Sequence, residues 1–292
     1  GFFRPHTPFV APKKYFDLYD QEKIEVPQID SSYLATLPEL AVKSIQARKE
    51  QLNLEPERAK EIKEAYYATI SFVDAQVGRI LDNLEANGLD KNTIVVFTSD
   101  HGYHLGEHGH WQKNTLFENA TRIPLIISVP NSENKGVSSM SPVELIDLYP
   151  TLMDLTKIKI PKHVVGKSLQ PIMKDVNTLV RESALTRWRK GYSIKTKRYR
   201  LTKWGKNGEL GYELYDHKSD KKELINLANN EDYIEIMDSL KLVIEQRIAE
   251  ASIKPEGLGR QFENAKPMYK AKNITFGDIH TVDGEIIYFE DK

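Results

Sequence analysis

The chain has 292 residues, 40% of them hydrophobic and 28% charged, with 41 basic against 42 acidic side chains. That length and apolar content suffice for a large buried core, and the near-balance of charge lacks the basic excess of a nucleic-acid protein. No apolar run approaches the roughly 20 residues of a membrane-spanning helix, and with no cysteine these residues hold no disulfide, thiolate zinc ligand or thiol nucleophile.

In chain order, residues 1–55 read as irregular. Prolines 5, 8, 12, 27 and 38, with Pro56 just beyond, hold themselves and their predecessors in extended or turn geometry. A short helix fits 40–51. His6 lies between Pro5 and Thr7-Pro8 with Arg4 nearby, which makes it a stiffly placed candidate imidazole.

Residues 57–87 predict a long helix: Ile62, Tyr66, Ile70, Val73, Val77, Ile80 and Leu84 recur at steps of three or four. Pro56 suits its start and Asn87-Gly88 its end; Asp74 reads as a solvated carboxylate. Residues 93–98 form an apolar run without alternation, as in a strand buried on both faces of a parallel sheet. Residues 124–130 predict the next strand, and 142–156 a helix that Pro150 kinks or splits.

From about residue 180 the pattern changes to short β segments at 183–188, 192–197, 199–204 and 212–215, a small antiparallel sheet. An amphipathic helix follows at 231–251. Residues 259–292 are polar and could add a strand pair at 274–276 and 286–289. The expected domains are 1–178, 179–258 and an extension 259–292. The fold class is α/β: part of a large mixed, mostly parallel sheet between helices, then a smaller antiparallel sheet with a C-terminal helix.

The strongest local signal follows the first strand. Residues 99–113 hold four of the chain's eight histidines, two carboxylates, three glycines and a lysine. Ligands of open α/β sheets bind beyond the carboxyl ends of strands. Asp100 and His101 there can share one cation, and Lys113 can hold an anion as a point charge. A zinc site built from His101, His104, His108 and His110 is an alternative on spacing, although the His-Glu-x-x-His order is absent. Residues 210–228 read as structural, with their acids in turns and caps.

Thr98-Ser99-Asp100-His101-Gly102, then Leu105-Gly106-Glu107-His108-Gly109 and Lys113, resemble the type I sulfatases of the alkaline phosphatase superfamily, within them the iduronate-2-sulfatase group. Arg4-Pro5-His6-Thr7-Pro8-Phe9 and residues 143–152 resemble further segments of that group. The resemblance implies hydrolysis of a sulfate ester, here of a uronate 2-O-sulfate in a polysaccharide or oligosaccharide. It implies a formylglycine nucleophile assisted by a calcium ion. It places Asp100 and His101 among the calcium ligands, His6 and Lys113 at the sulfate as catalytic residues, and His104, Trp111 and Asn114 around the sugar. It also implies a secreted or periplasmic enzyme.

No Cys/Ser-x-Pro/Ala-x-Arg motif and no paired N-terminal aspartates occur in the chain. The expectation is therefore a C-terminal part whose nucleophile lies upstream, inactive without that N-terminal half. The expected partners are the sulfated glycan and that half, with neither nucleic acid nor membrane. A non-catalytic chain that binds sulfated glycans is one alternative. A phosphatase or phosphonate hydrolase of the same superfamily is another.

Overall fold

Prolines keep the first segment in short steps. The structure, a computed structural model, describes residues 1–47 and 51–253. Three helices of one or two turns, α1 (Lys13–Phe16), α2 (Ser31–Leu34) and α3 (Glu39–Ile45), are joined by extended chain. The helix expected at 40–51 is reduced to α3, which starts one residue early and ends at Ile45; residues 48–50 lie outside the described part.

This segment runs along α4 (Pro56–Ala86). Tyr15 meets Phe72 at 5.4 Å between ring centroids, Tyr19 Oη lies 2.6 Å from Ser71 Oγ, and Lys63 Nζ donates to Glu25 O at 2.6 Å. The helix starts on Pro56 and stops where Gly88 takes φ +66°, a conformation glycine adopts without a Cβ penalty. Its expected apolar stripe is only half covered: Ile70 and Ile80 are exposed, while Ala59, Lys63, Ala68 and Thr69 are buried. Asp74 is exposed, as expected.

Strands β1 (Val95–Thr98) and β2 (Leu125–Ser128) pair antiparallel, Val96 opposite Ile127. The mixed α/β class holds. The parallel, doubly buried setting expected of residues 93–98 does not: β1 pairs antiparallel with β2, and Phe97 of β1 is 40% exposed and Ile126 of β2 60%, because a two-stranded ribbon cannot cover both its faces.

Pro150 splits the next helical stretch. Glu144 and Asp147 form a capping box over a 3₁₀ turn at Leu145–Asp147, and α6 (Leu148–Leu155) begins there, with Pro150 in its first turn, where no N–H is needed. Asp147 is fully buried and paired with Arg181. A short helix, α7 (Gln170–Lys174), leads to the second sheet.

That sheet consists of β3 (Ser183–Trp188), β4 (Gly191–Thr196), β5 (Tyr199–Trp204) and β6 (Tyr212–Asp216), in sequential antiparallel order. Its strands match the sequence expectation within about a residue, because side chains alternate between two covered faces. Ile194, Leu201 and Leu214 lie in register on one face and pack on Met237, Leu240 and Ile244 of α8 (Ile234–Ser252). Trp204 and Tyr215 on the other face pack on Tyr33, Leu37, Ala41 and Ile45 from the first segment, and on Leu116 and Phe117.

Residues 1–158 and 166–253 make one compact unit, and residues 159–165 belong to another. The proposed extension 259–292, with its strand pair, lies outside the described residues.

Candidate functional site

The loop after β1 is pinned by main chain. Gly102 N donates to Ala120 O at 2.8 Å, at the end of the helical turn α5 (Glu118–Thr121). A Cβ on Gly102 would overlap Asn119 O, so glycine is required for this approach. Further on, His104 N donates to Gln112 O at 2.8 Å and Gly106 N to His110 O at 2.9 Å, folding residues 104–112 back on themselves. Gly106, His108 and Gly109 all take positive φ to make the reversal.

Asp100 and His101 sit on the first turn of this loop. The Asp100 side chain is 83% exposed, and its Oδ2 lies 3.4 Å from His101 Nε2. His101 Nδ1 donates to Gly102 O at 2.8 Å. That bond fixes the tautomer and leaves the Nε2 lone pair beside the carboxylate, the arrangement seen when an imidazole is oriented as a metal ligand. One oxygen and one nitrogen thus face the same space. They suit one divalent cation, whose remaining ligands would come from outside these two residues.

The segment carrying His6 reaches this loop through an aromatic clasp. Phe9 packs edge-on against Tyr66 at 5.5 Å and Tyr103 at 6.2 Å, and Tyr66 stacks on Tyr103 at 5.3 Å. Burial, reinforced by Tyr66, pushes the Tyr103 phenol up to about 12. His6 itself is exposed, with Nδ1 donating to Thr7 O at 2.8 Å. At the far end of the loop, Lys113 is half-buried and Asn114 exposed.

The middle of the loop does not line a surface. His104 is fully buried, with Nδ1 donating to Glu107 O at 3.2 Å and Nε2 accepting from Thr115 Oγ1 at 2.8 Å. Trp111 is buried beside Gly106. Both were expected around the sugar; they sit in the interior because the loop folds over them, and they support it from beneath. His108 stacks on Phe117 at 3.9 Å and donates from Nδ1 to Tyr33 Oη, and His110 donates from Nδ1 to Ile45 O at 2.7 Å.

Burial lowers all three imidazoles below the usual histidine range, His108 to about 4. They therefore stay neutral at pH 7. A histidine-only zinc site is not assembled: His104 has no free ring nitrogen, and His101 faces Asp100.

Among the described residues, the one trio with ligand atoms within 4.8 Å of one another is Glu118, His217 and Glu223. It does not suit a metal, because a buried cation already occupies it. Arg200 pairs with both Glu118 and Glu223, Glu223 Oε2 accepts from Glu118 N at 2.7 Å, and His217 Nε2 lies 2.7 Å from Glu223 Oε1. Burial raises the Glu223 carboxyl, but Arg200, His217 and Glu118 N more than offset it and hold it at about 2.

Reading the acids of 210–228 as turn and cap groups missed this network. Asp216 does accept Lys218 N at 3.0 Å. Glu213 and Glu223, however, are buried beneath the loop, where Glu213 Oε1 accepts from Trp204 Nε1 at 2.6 Å and Oε2 from Tyr215 Oη at 2.8 Å. The apolar neighbours of Glu213, Tyr212 and Leu214-Tyr215, were the available signal for a buried carboxyl.

The sulfatase family profile matches residues 2–158, and that of the N-sulphoglucosamine sulphohydrolase C-terminal region matches residues 106–250. A "Sulfatase" of Formosa agariphila is 37% identical over 84% of this chain and 48% of its own length. Human "Iduronate 2-sulfatase" is 33% identical over 55% of this chain and 36% of its own. A solved structure in complex with its substrate D-glucosamine-2-N,6-O-disulfate superposes with a TM-score of 0.64 at 27% identity, covering 73% of this chain and 46% of the other. The chain spans about half the length of the curated relatives it matches. The profile covers the clasped His6 segment and the strand-end Asp100–His101 loop in one continuous match, and so the chain belongs to the sulfatase family, with the alkaline phosphatase-like α/β fold expected of it.

Proposed function

We propose that this chain forms part of an enzyme that hydrolyses sulfate esters of sulfated sugars, with a uronate 2-O-sulfate as the preferred group. The observation that carries the reading is the Asp100–His101 pair, 3.4 Å apart at the mouth of β1, joined by the Phe9–Tyr103 contact to the segment that bears His6. The relatives named for glucosamine and iduronate sulfates support the substrate class.

Asp100 and His101 are the groups of this chain that would hold a calcium ion. When bound, such an ion polarises the ester sulfate and neutralises charge on its oxygens. Lys113 holds the sulfate from the other end of the loop as a compact cation. His6 lies outside the buried cluster and delivers a proton to the leaving sugar oxygen. Asn114, exposed next to Lys113, contacts the sugar. The nucleophile is a formylglycine on a segment preceding residue 1, and the complete enzyme acts outside the cytoplasm.

Sulfate release by the chain joined to its nucleophile-bearing segment tests this reading, with 2-O-sulfated uronates set against N- and 6-O-sulfated glucosamines. Faster turnover of the uronates is expected. Lys113→Ala is expected to lower kcat/KM about 100-fold or more, the scale of removing one oxyanion-stabilising group. Turnover of phosphonate esters in preference to every sulfate would overturn it.

A further inference from the structure

The hairpin joining β3 and β4 has a feature that the sulfate site does not use. Its turn is two residues long, Arg189-Lys190, closed by the pairing of Trp188 with Gly191. Turns of this length favour Asn-Gly or similar pairs, yet here Arg189 sits at φ +49°, a conformation costly for a long side chain.

Arg187, Arg189 and Lys190 are all exposed, and so is Lys206 on the neighbouring turn, which is tied to the first by Gly205 N donating to Lys190 O at 3.0 Å. None of the four has an ion-pair partner among the described residues. The nearby acid, Glu209, has its carboxylate turned to the amides of Lys206 and Asn207.

The arginines are held in place by rings instead of carboxylates. The Arg189 guanidinium lies 4.7 Å from the Trp188 ring centroid, while Arg187 lies on the opposite, α8-packed face of the sheet, 5.3 Å from the Tyr192 ring centroid. Packing on a ring orders a guanidinium while leaving its N–H fork free for an oxyanion. In a chain with net charge −1, three cations on two linked turns, Arg189, Lys190 and Lys206, against the single acid Glu209 make a local positive field.

The hairpin also adjoins the candidate site. A Cβ on Gly191 would come within 2.7 Å of Leu116 Cδ1 and 2.8 Å of the Trp204 ring, so the hairpin packs on the side chain of Leu116, two residues beyond Asn114.

We propose that Arg189 and Lys190, backed by Trp188 and assisted by Lys206, form an auxiliary site for the anionic groups of a sulfated polysaccharide next to the residue being desulfated. This rests on the sulfated-glycan reading above and adds to it that the natural substrate is polymeric. The cations engage sulfates and carboxylates of neighbouring sugars, and the half-buried Trp188 ring fixes the Arg189 guanidinium beneath them.

The test is calorimetric binding of heparin to this chain across a salt series, with uncharged dextran as control. Wild type is expected to bind heparin and not dextran, with affinity falling as salt rises. The double variant R189Q/K190Q is expected to bind about tenfold or more weakly, with its log–log salt slope reduced by roughly one per cation removed. Lys190→Glu, a single exposed change, guards against misfolding: its far-UV circular dichroism should match wild type while its heparin affinity drops.

An unchanged slope and affinity in both variants would overturn the proposal, as would a wild type that ignores heparin. Binding of a sulfated monosaccharide to Lys113→Ala reports on the sulfate site separately. Loss there with heparin affinity intact in the hairpin variants leaves the sulfate site standing and removes the hairpin. The converse removes the sulfate site and keeps the hairpin.

Discussion

The loop after β1 and the four-stranded sheet beneath it both bury titratable side chains, and they do so by opposite means. The sheet keeps most of its charges and pairs them, Arg200 with Glu118 and Glu223, and Lys203 with Glu245 of α8; Glu213, bonded to Trp204 and Tyr215 without a cationic partner, is the exception. The loop removes the charge instead, burying His104, His108 and His110 as neutral rings with Nδ1–H bonds to a carbonyl or hydroxyl. Pairing demands that every partner be present, because an orphaned buried ion is far costlier than an orphaned neutral group. Neutral burial demands only that the pH stay above the range in which imidazole charges.

The largest effect should come from breaking a pair. Glu223→Gln leaves Arg200 buried with one carboxylate partner in place of two and is expected to cost about 3–5 kcal/mol, read as a loss of urea midpoint. Arg200 and Glu223 changed together to neutral residues of similar size should cost less than the single change, since no lone ion remains. A cost for the double variant as large as the sum of both singles would contradict the pairing.

A pH titration of stability sharpens the comparison, because the two regions pull in different directions. His108 falls from 6.5 to about 4 on folding, chiefly through desolvation. Its contribution is complete above pH 6.5 and is lost as pH drops toward 4, a change of up to roughly 3 kcal/mol. Glu213 rises from 4.5 to about 7, again chiefly through burial and against its bonds from Trp204 and Tyr215. Its contribution is complete below pH 4.5 and is lost as pH climbs through 7. Glu213→Gln should therefore flatten the alkaline arm of the stability curve and leave the acid arm in place. Persistence of the alkaline arm would place its origin elsewhere.

The anchoring of the loop is backbone chemistry, and its failure should be intermediate. Gly102→Ala drives a methyl into Asn119 O, an overpacking expected to cost about 1–3 kcal/mol in the thermal midpoint. It should also displace Asp100 and His101, weakening cation binding by more than the stability change alone predicts.

Periodicity and strand alternation made the fold legible. Every strand from β3 to β6 follows a two-residue rhythm that its two covered faces enforce. Pro150 and Asn87-Gly88 punctuate helices for reasons local to those residues. The candidate site was legible only where chemistry coincides with a strand end, at Asp100 and His101. His104 and Trp111 were placed at the sugar by resemblance and lie in the interior, because spacing within a loop does not reveal which side folds inward. Glu223 was illegible for another reason: its partners Arg200 and Glu118 are 23 and 105 residues away, and no local pattern records a contact of that range. The half-open stripe of α4 and the exposed Ile126 show that apolar periodicity identifies a face without saying what covers it.

The smallest expected stability effect belongs to Asp100, proposed above as a cation ligand. Asp100 is 83% exposed and, among the described residues, its carboxylate meets no lysine or arginine, only the His101 ring. Asp100→Asn should therefore leave the thermal midpoint of the cation-free protein unchanged within about 0.5 kcal/mol. The difference should appear only when calcium is added. A cation that binds the native state stabilises it by about 2.7 kcal/mol at 100 times its dissociation constant, and removing one of two local donors raises that constant. The wild-type midpoint should climb with calcium while that of Asp100→Asn climbs less at the same concentration. A large shift in the variant without calcium would make Asp100 a structural carboxylate of the kind found in the sheet, and the contrast between the two regions would not extend to the strand end.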